Sequence, residues 1–466
     1  MVFNSDSALV VPDDTNSARD TFLYDRQTDT VERVSLSATG QEGDDRSDTG
    51  FASADGRSVT FSSKATNLLP GGTAGISQVF LKDRETGDMQ LLSVTPAGDP
   101  GNSISIPSGI SADGRYVAFW SYATDLVDGD TNSSAEVFLR DLQARTTERL
   151  AVSGSGAQSD KGVAESCSLT PDARFAAFGS GSTNLVSGDT NALSDIYVRD
   201  RQLDITERVN VASGGAQATG GDSHRPRLSP NGRYVVFYSR ATNLVPGDSN
   251  GFVDVFLRDR QAGTTERVSV TDAGAESNGE SYDADVSADG RYVVFASDAD
   301  NLVPGDTNGQ SDIFLRDRQT GSTTRLSLAD GGAQAEGNSS GNSQISNDGR
   351  YVSFDSGATN LVPGDTNGAW DVFLLDRGPA GPAVGFTDIA SSPYRAAIED
   401  LAGAGIISGY NLGDHWEFRP LNTLKRAQFA KMIVGSWAFP VTEQQGFAPF
   451  TDLGSDDPSD LYPHEF

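Results

Sequence analysis

One tripeptide, Asp-Gly-Arg, returns along the chain at a nearly constant interval, and no other property restricts the fold as tightly. It stands at Asp55, Asp113, Asp289 and Asp348, with Asp-Ala-Arg at Asp172 and Asn-Gly-Arg at Asn231; successive copies lie 58, 59, 59, 58 and 59 residues apart. A second anchor keeps the same period. Short alternating segments such as "VFLRD" and "IFLRD" end on Asp25, Asp83, Asp141, Asp200, Asp259, Asp317 and Asp376. Chance does not hold two separate anchors in phase, so the chain is built from repeats, and each repeat is one supersecondary unit.

Each unit reads as four short strands, exemplified by "YDADVSADGR", "YVVFAS", "DIFLRD" and "TTERVSV". Asp-Gly and Gln-Thr-Gly supply tight turns at the two short connections. Four antiparallel strands in series fit the blade of a β-propeller, which buries its faces only against neighbouring blades. The fold class is therefore mainly β. A β-solenoid is the competing architecture, but its coils are shorter and lack paired hairpin turns. The second and third strands occur seven times and the first and fourth six times, so seven blades are expected, the first and last incomplete. "MVFNSDSALVVPDD" aligns with the second strand of a unit, and the expectation is that the chain starts inside a longer reading frame.

The balance of charge narrows the partners. With 466 residues and a net charge of −30, the chain lacks the cationic footprint that phosphate binding needs, which argues against nucleic acid. No run of 18 apolar residues is present to span a membrane. The lone Cys167 permits no internal disulfide and reads as a small buried hydrophobe.

The loop between the second and third strands carries Asp-x-Asn and a further acid four residues on. The sets are Asp14/Asn16/Asp20, Asp130/Asn132/Glu136, Asp189/Asn191/Asp195, Asp248/Asn250/Asp254, Asp306/Asn308/Asp312 and Asp365/Asn367/Asp371. One unit departs, with Gly72, Ala74 and Gln78 at these positions. Oxygen ligands at positions 1, 3 and 7 resemble the first half of a calcium loop, without the bidentate carboxylate at position 12, so any affinity should be modest. The other reading is a turn, in which Asp and Asn bond backbone amides two residues on. The loops after the second and fourth strands are the long ones and open on one face, which is where a ligand is expected.

Catalytic signals are weak. Gly337 to Gly341 matches Gly-x-Ser-x-Gly, but in what reads as an inter-blade loop, without the strand and helix that a nucleophile elbow requires. His224, His415 and His464 read as surface or turn residues, and there is no zinc cluster or P-loop.

The units resemble TolB-type propeller repeats, in which Ser-x-Asp-Gly-Arg is followed by an apolar strand and an Asp-Ile-Phe-like strand; here these are "SADGRYVVFAS" and "SDIFLRD". The resemblance covers roughly Met1 to Arg377 and implies a scaffold, binding platform or accessory domain. After a Pro/Gly linker at 378–385, residues 386–440 resemble a surface-layer homology (SLH) domain: "FTDI", "AGAGIISGY", "FRPLN" and "LKRAQFAKM" follow in that family's order. Lys425 and Gln428 replace the usual Thr and Glu. A second copy starts within 447–466, at "FTDLGSDDPSDLY".

This second resemblance implies non-covalent anchoring to a secondary cell-wall polysaccharide. By position, Asp388 and Arg426 match the residues associated with that polysaccharide. Guanidinium suits an anionic sugar, although a helix-surface salt bridge would equally explain Arg426. Trp416 would stack on a sugar ring or pack in the core. The implied protein is a secreted bacterial surface protein associated with the cell wall or S-layer. Its propeller acts as a binding or structural module for an unknown protein or glycan, and no catalytic constellation is visible. The alternative is the accessory propeller of a surface hydrolase whose catalytic domain lies elsewhere.

Overall fold

The computed structural model describes residues 1–329 and 331–378, together with the pairs Tyr410–Asn411 and Trp416–Glu417. Seven antiparallel sheets follow one another along the chain as the blades of a propeller. The first and seventh have three strands and the five between them have four. Among the described residues the expected truncation of the outer blades is borne out: blade 1 lacks its first strand and blade 7 its fourth. By compactness the chain divides into two units. One comprises Met1–Asn347 with Val352–Leu375, the other Asp348–Tyr351 with Asp376–Phe466.

The third strand shows why the repeat holds its pattern. In blade 5 it is Asp254–Asp259, and Val255, Phe256 and Leu257 are all buried, because the sheet is covered on both faces. Val255 and Leu257 face forward into a cluster with Val293, Phe295 and Phe314 of blade 6. The opposite face carries an aromatic pair, Phe237 stacked on Phe256 at 5.9 Å between ring centroids. The same pair recurs in every blade, from Phe3–Phe22 to Phe354–Phe373. The core is thus a series of inter-blade layers. Blade 7 differs, since its forward residues Val372 and Leu374 are 44% and 37% exposed.

The two sequence anchors are the two ends of one ion pair. The arginine of each Asp-Gly-Arg turn reaches the aspartate that closes the third strand: Arg57–Asp83, Arg115–Asp141, Arg174–Asp200, Arg233–Asp259, Arg291–Asp317 and Arg350–Asp376. That aspartate also accepts backbone amides of the next turn, as Asp259 does from Gln261 and Ala262 at 3.0 Å each. One carboxylate therefore closes two hairpins, which keeps the anchors in phase. The turn glycine is needed for space as well as for φ. At Gly290, φ is +73°, and a Cβ would come within 2.4 Å of the Tyr234 ring of the preceding blade.

The first strands are the innermost, and they bond to one another. The Leu228 amide donates to Ser168 Oγ at 3.0 Å, and the Ile345 amide donates to Asp285 Oδ2 at 3.0 Å. Each first strand is interrupted by a bulge with shifted register, and several carry a left-handed residue there: Thr49, Arg225, Asp283 and Asn342.

Two readings of the sequence are corrected. Gly337–Gly341 is not a loop but opens the first strand of blade 7, Gly337–Ile345, where bulges replace regular pairing. His224 lies in the first strand of blade 5, half-buried and tilted against the Tyr238 ring, not in a turn. Cys167 is fully buried, and that burial pushes its thiol up to about 12, in keeping with a packing role.

Candidate functional site

In five of the six acidic loops an arginine lies against the carboxylates. In blade 5 the second and third strands are joined across Asp248, Asn250 and Asp254, while Arg267 ends the fourth strand, Thr264–Arg267. Antiparallel pairing sets Arg267 opposite Phe256, two residues beyond Asp254. Its Nη1 then lies 3.3 Å from Asp248, 3.2 Å from Asp254 and 2.7 Å from Glu276. Arg267, Asp248 and Asp254 are 9%, 5% and 1% exposed. The guanidinium thus lies within ion-pair distance of both carboxylates.

The remaining polar atoms are also held. The Asn250 amide donates to Asp254 at 3.0 Å and to the Ser277 carbonyl at 3.1 Å, while its oxygen accepts the Phe252 amide at 3.0 Å. Asp254 Oδ1 accepts Ser269 Oγ at 2.6 Å and Ser277 Oγ at 3.0 Å. Glu276 accepts both the amide and the hydroxyl of Ser249, at 2.8 and 2.7 Å. Ser277 and Glu276 belong to the loop leading into blade 6, so the cluster ties two blades together. These bonds also bring the two long loops side by side on one face, as the strand order implied.

Four other loops repeat the arrangement. Arg33 lies at 3.2 and 3.3 Å from Asp14 and Asp20, Arg208 at 3.3 and 3.2 Å from Asp189 and Asp195, and Arg325 at 2.9 and 3.2 Å from Asp306 and Asp312. Arg149 pairs with Glu136 and stands 3.7 Å from Asp130. Asn16, Asn132, Asn191 and Asn308 each donate to the third acid and to a carbonyl 27 residues on.

The departing unit shows that these residues form one set. Where the loop has Gly72, Ala74 and Gln78, the arginine position is Leu91, which pairs with Phe80, and the Glu276 position is Pro100. Acids, arginine and the long polar side chain are exchanged together, as Coulomb interactions in a buried site demand. There Gln78 keeps the hydrogen bonds without charge, accepting Ser93 Oγ at 2.5 Å and donating to the Gly101 carbonyl at 2.8 Å. In the seventh loop Asn367 still accepts the Ala369 amide at 2.8 Å and approaches Asp371 at 3.4 Å. No arginine pairs with Asp365 or Asp371 among the described residues. The arginines were the residues missed from the sequence, although the fourth-strand "TER" carried them at the same period.

Charge crowding makes the cluster pH-dependent. Burial, then the neighbouring Asp254 carboxylate, pushes the Asp248 acid up to about 6, against the opposing pull of Arg267. Hydrogen bonds from Ser249, followed by Arg267, pull Glu276 down to about 2. Because the folded state holds the Asp248 proton more tightly, this group costs stability progressively as pH rises from about 4 to about 6. Glu276 adds stability above its unfolded pKa and loses it only as pH falls toward 2. Asp248→Asn should therefore flatten the stability profile between pH 4 and 6 and leave the protein at least as stable as wild type at pH 7. Thermal unfolding across that range checks this, and a variant less stable at pH 7 would contradict it.

Of the polysaccharide candidates, Asp388 and Arg426 fall outside the described residues. Trp416 belongs to a two-stranded hairpin, paired with Asn411 while Glu417 pairs with Tyr410. Among the described residues, no helix is long and apolar enough to cross a membrane, and no cluster of His, Cys, Asp and Glu suits a metal ion.

Fold and C-terminal segment together define the class: a β-propeller carrying an S-layer homology domain. Residues 385–430 match the model of the S-layer homology domain. TolB from Acinetobacter baumannii is similar in structure, with 18% identity and a TM-score of 0.39 over 66% of this chain and 59% of that one. Oligogalacturonate lyase from Vibrio parahaemolyticus shows 13% identity and a TM-score of 0.46, over 78% of this chain and 84% of that one. The β-propeller domain of the Trilobed protease from Pyrococcus furiosus shows 12% and 0.44, over 71% and 81%. No curated protein matches the chain. S-layer homology domains bind cell-wall polysaccharide, so the segment marks a cell-surface protein whose propeller is a separate module.

Proposed function

We propose that this is a secreted protein of the bacterial cell wall or S-layer, held non-covalently by its S-layer homology segment, with the propeller as a displayed binding or structural module. The observation that carries this is the match at residues 385–430, directly following seven blades. Within the segment, Asp388 and Arg426 are proposed to contact an anionic wall polysaccharide, and Trp416 to stack on a sugar ring. Sedimentation of the full chain with protein-free cell walls tests the reading. The protein should pellet with intact walls and remain in solution with walls stripped of secondary polysaccharide. Failure to pellet with intact walls would overturn it.

For the acidic loops, which the sequence leaves open between calcium sites and turns, we propose that arginine is the resident cation of blades 1, 3, 4, 5 and 6. Support comes from the guanidinium positions and from their joint loss with the acids in blade 2. On this reading the loops are inter-blade clamps.

A further inference from the structure

The inner wall of blades 5 to 7 carries a cavity whose chemistry none of the repeat interactions uses. It measures about 60 Å³ and is lined by Arg225, Arg227, Asp283, Asn342, Ser343 and Gln344, with Ala284. The lining comes from three successive first strands at matching places. Arg225, Asp283 and Asn342 are the left-handed bulge residues, with φ of 46°, 49° and 49°. Two positions on, Arg227, Asp285 and Gln344 pair with Val236, Val294 and Ser353 of their second strands. In blades 2, 3 and 4 the corresponding paired positions are Phe51, Gly109 and Ser168. A charged or amide side chain at this place therefore belongs to blades 5 to 7 and not to the repeat.

Within the cavity most charges are committed. Arg225 pairs with Asp283 at 2.5 Å. Asn342 donates to Asp355 at 2.8 Å, and Ser343 Oγ donates to the Asp283 carbonyl at 2.8 Å. Arg227 is the exception. It is half-buried and makes no hydrogen bond or ion pair among the described residues. The carboxylate that acts on it, Asp285, lies beyond ion-pair distance and accepts the amides of Val286 and Ile345 at 2.9 and 3.0 Å. Burial raises the acid of Asp285, against the opposing pull of Arg227. A half-buried guanidinium whose donors meet no hydrogen-bond acceptor among the described residues is costly, and its planar fork matches a carboxylate.

We propose that this cavity binds the carboxylate of a sugar acid, with Arg227 as its anion partner. The Gln344 amide, the Ser343 hydroxyl and the free lone pairs of Asp283 are placed to meet the neighbouring ring hydroxyls. A cavity of this size takes the carboxylate end of one residue, leaving the rest of a saccharide outside. The site lies on the inner strands, distinct from the long-loop face.

Calorimetric titration of the full chain with D-glucuronate, with D-glucose as the uncharged match, tests the proposal. Saturable heat is expected with glucuronate and none with glucose at equal concentration. Arg227→Gln should weaken glucuronate by about tenfold or more, the usual loss for a hydrogen-bonded charge partner. Gln344→Ala, at an exposed side chain with no structural bond to lose, should weaken it several-fold while leaving the melting temperature unchanged, and so serves if Arg227→Gln does not fold. Equal binding by wild type and both variants, or no binding of glucuronate, would overturn the site. Saturable binding of an acidic peptide in place of glucuronate would overturn the ligand class.

Discussion

Arg267→Ala should destabilise the protein by about 3–5 kcal/mol, the cost of leaving buried carboxylates without their cation. Three acids, Asp248, Asp254 and Glu276, converge on that guanidinium, and its own side chain is only 9% exposed. The loss should concentrate in blades 5 and 6, because Ser277 and Glu276 connect the cluster to the next blade. Denaturant unfolding, with hydrogen exchange of the two blades, measures it. The chain itself supplies the rescue. Blade 2 carries Gly72, Ala74, Gln78, Leu91 and Pro100 at the five equivalent positions. Transplanting that set, as Asp248→Gly, Asn250→Ala, Asp254→Gln, Arg267→Leu and Glu276→Pro, should recover most of the stability lost in Arg267→Ala. If the fivefold variant is no more stable than the single one, the five positions do not act as a unit. If Arg267→Ala unfolds like wild type but acquires tight calcium binding, arginine is only a substitute for metal.

Phe295→Ala is expected to have a comparable effect for a different reason. The ring is fully buried, stacks on Phe314 at 5.9 Å and fills the layer against Val236, Val255 and Leu257 of blade 5. Truncation leaves a cavity between two blades whose frames are fixed by hydrogen bonding, so collapse is limited and the cost is about 3–5 kcal/mol. Phe252, 37% exposed in the acidic loop, is the control and should change stability by about 0.5 kcal/mol or less. Similar losses in the two variants would mean that the inter-blade layer does not hold the propeller together.

Much of this was legible in the sequence because repeats multiply weak signals. A single "DIFLRD" is ambiguous, whereas seven at one period are not. The strand count per blade and the incomplete outer blades followed from spacing and order, and the C-terminal segment from its resemblance to the S-layer homology domain. The acidic loop was located but half read. Asp and Asn read as either a partial calcium set or a turn, and the arginine 13 residues beyond the third acid was not connected with them. Its signal was present, since Leu91 stands at that place in the unit that lacks the acids. The bulges carried no comparable signal. Arg225, Asp283 and Asn342 share a backbone position but not a residue type, so no pattern announces them.

The sequence by itself determined the period, the blade composition and which residues travel together, because each blade must satisfy the same hydrogen bonds and fill the same layer. Only the tertiary structure decided which charges meet. Coulomb attraction depends on distance and burial, and both are set by the antiparallel pairing that brings Arg267 to Asp254. The same holds on the inner wall, where residues about 60 apart in the chain become neighbours and Arg227 makes no close ion pair among the described residues.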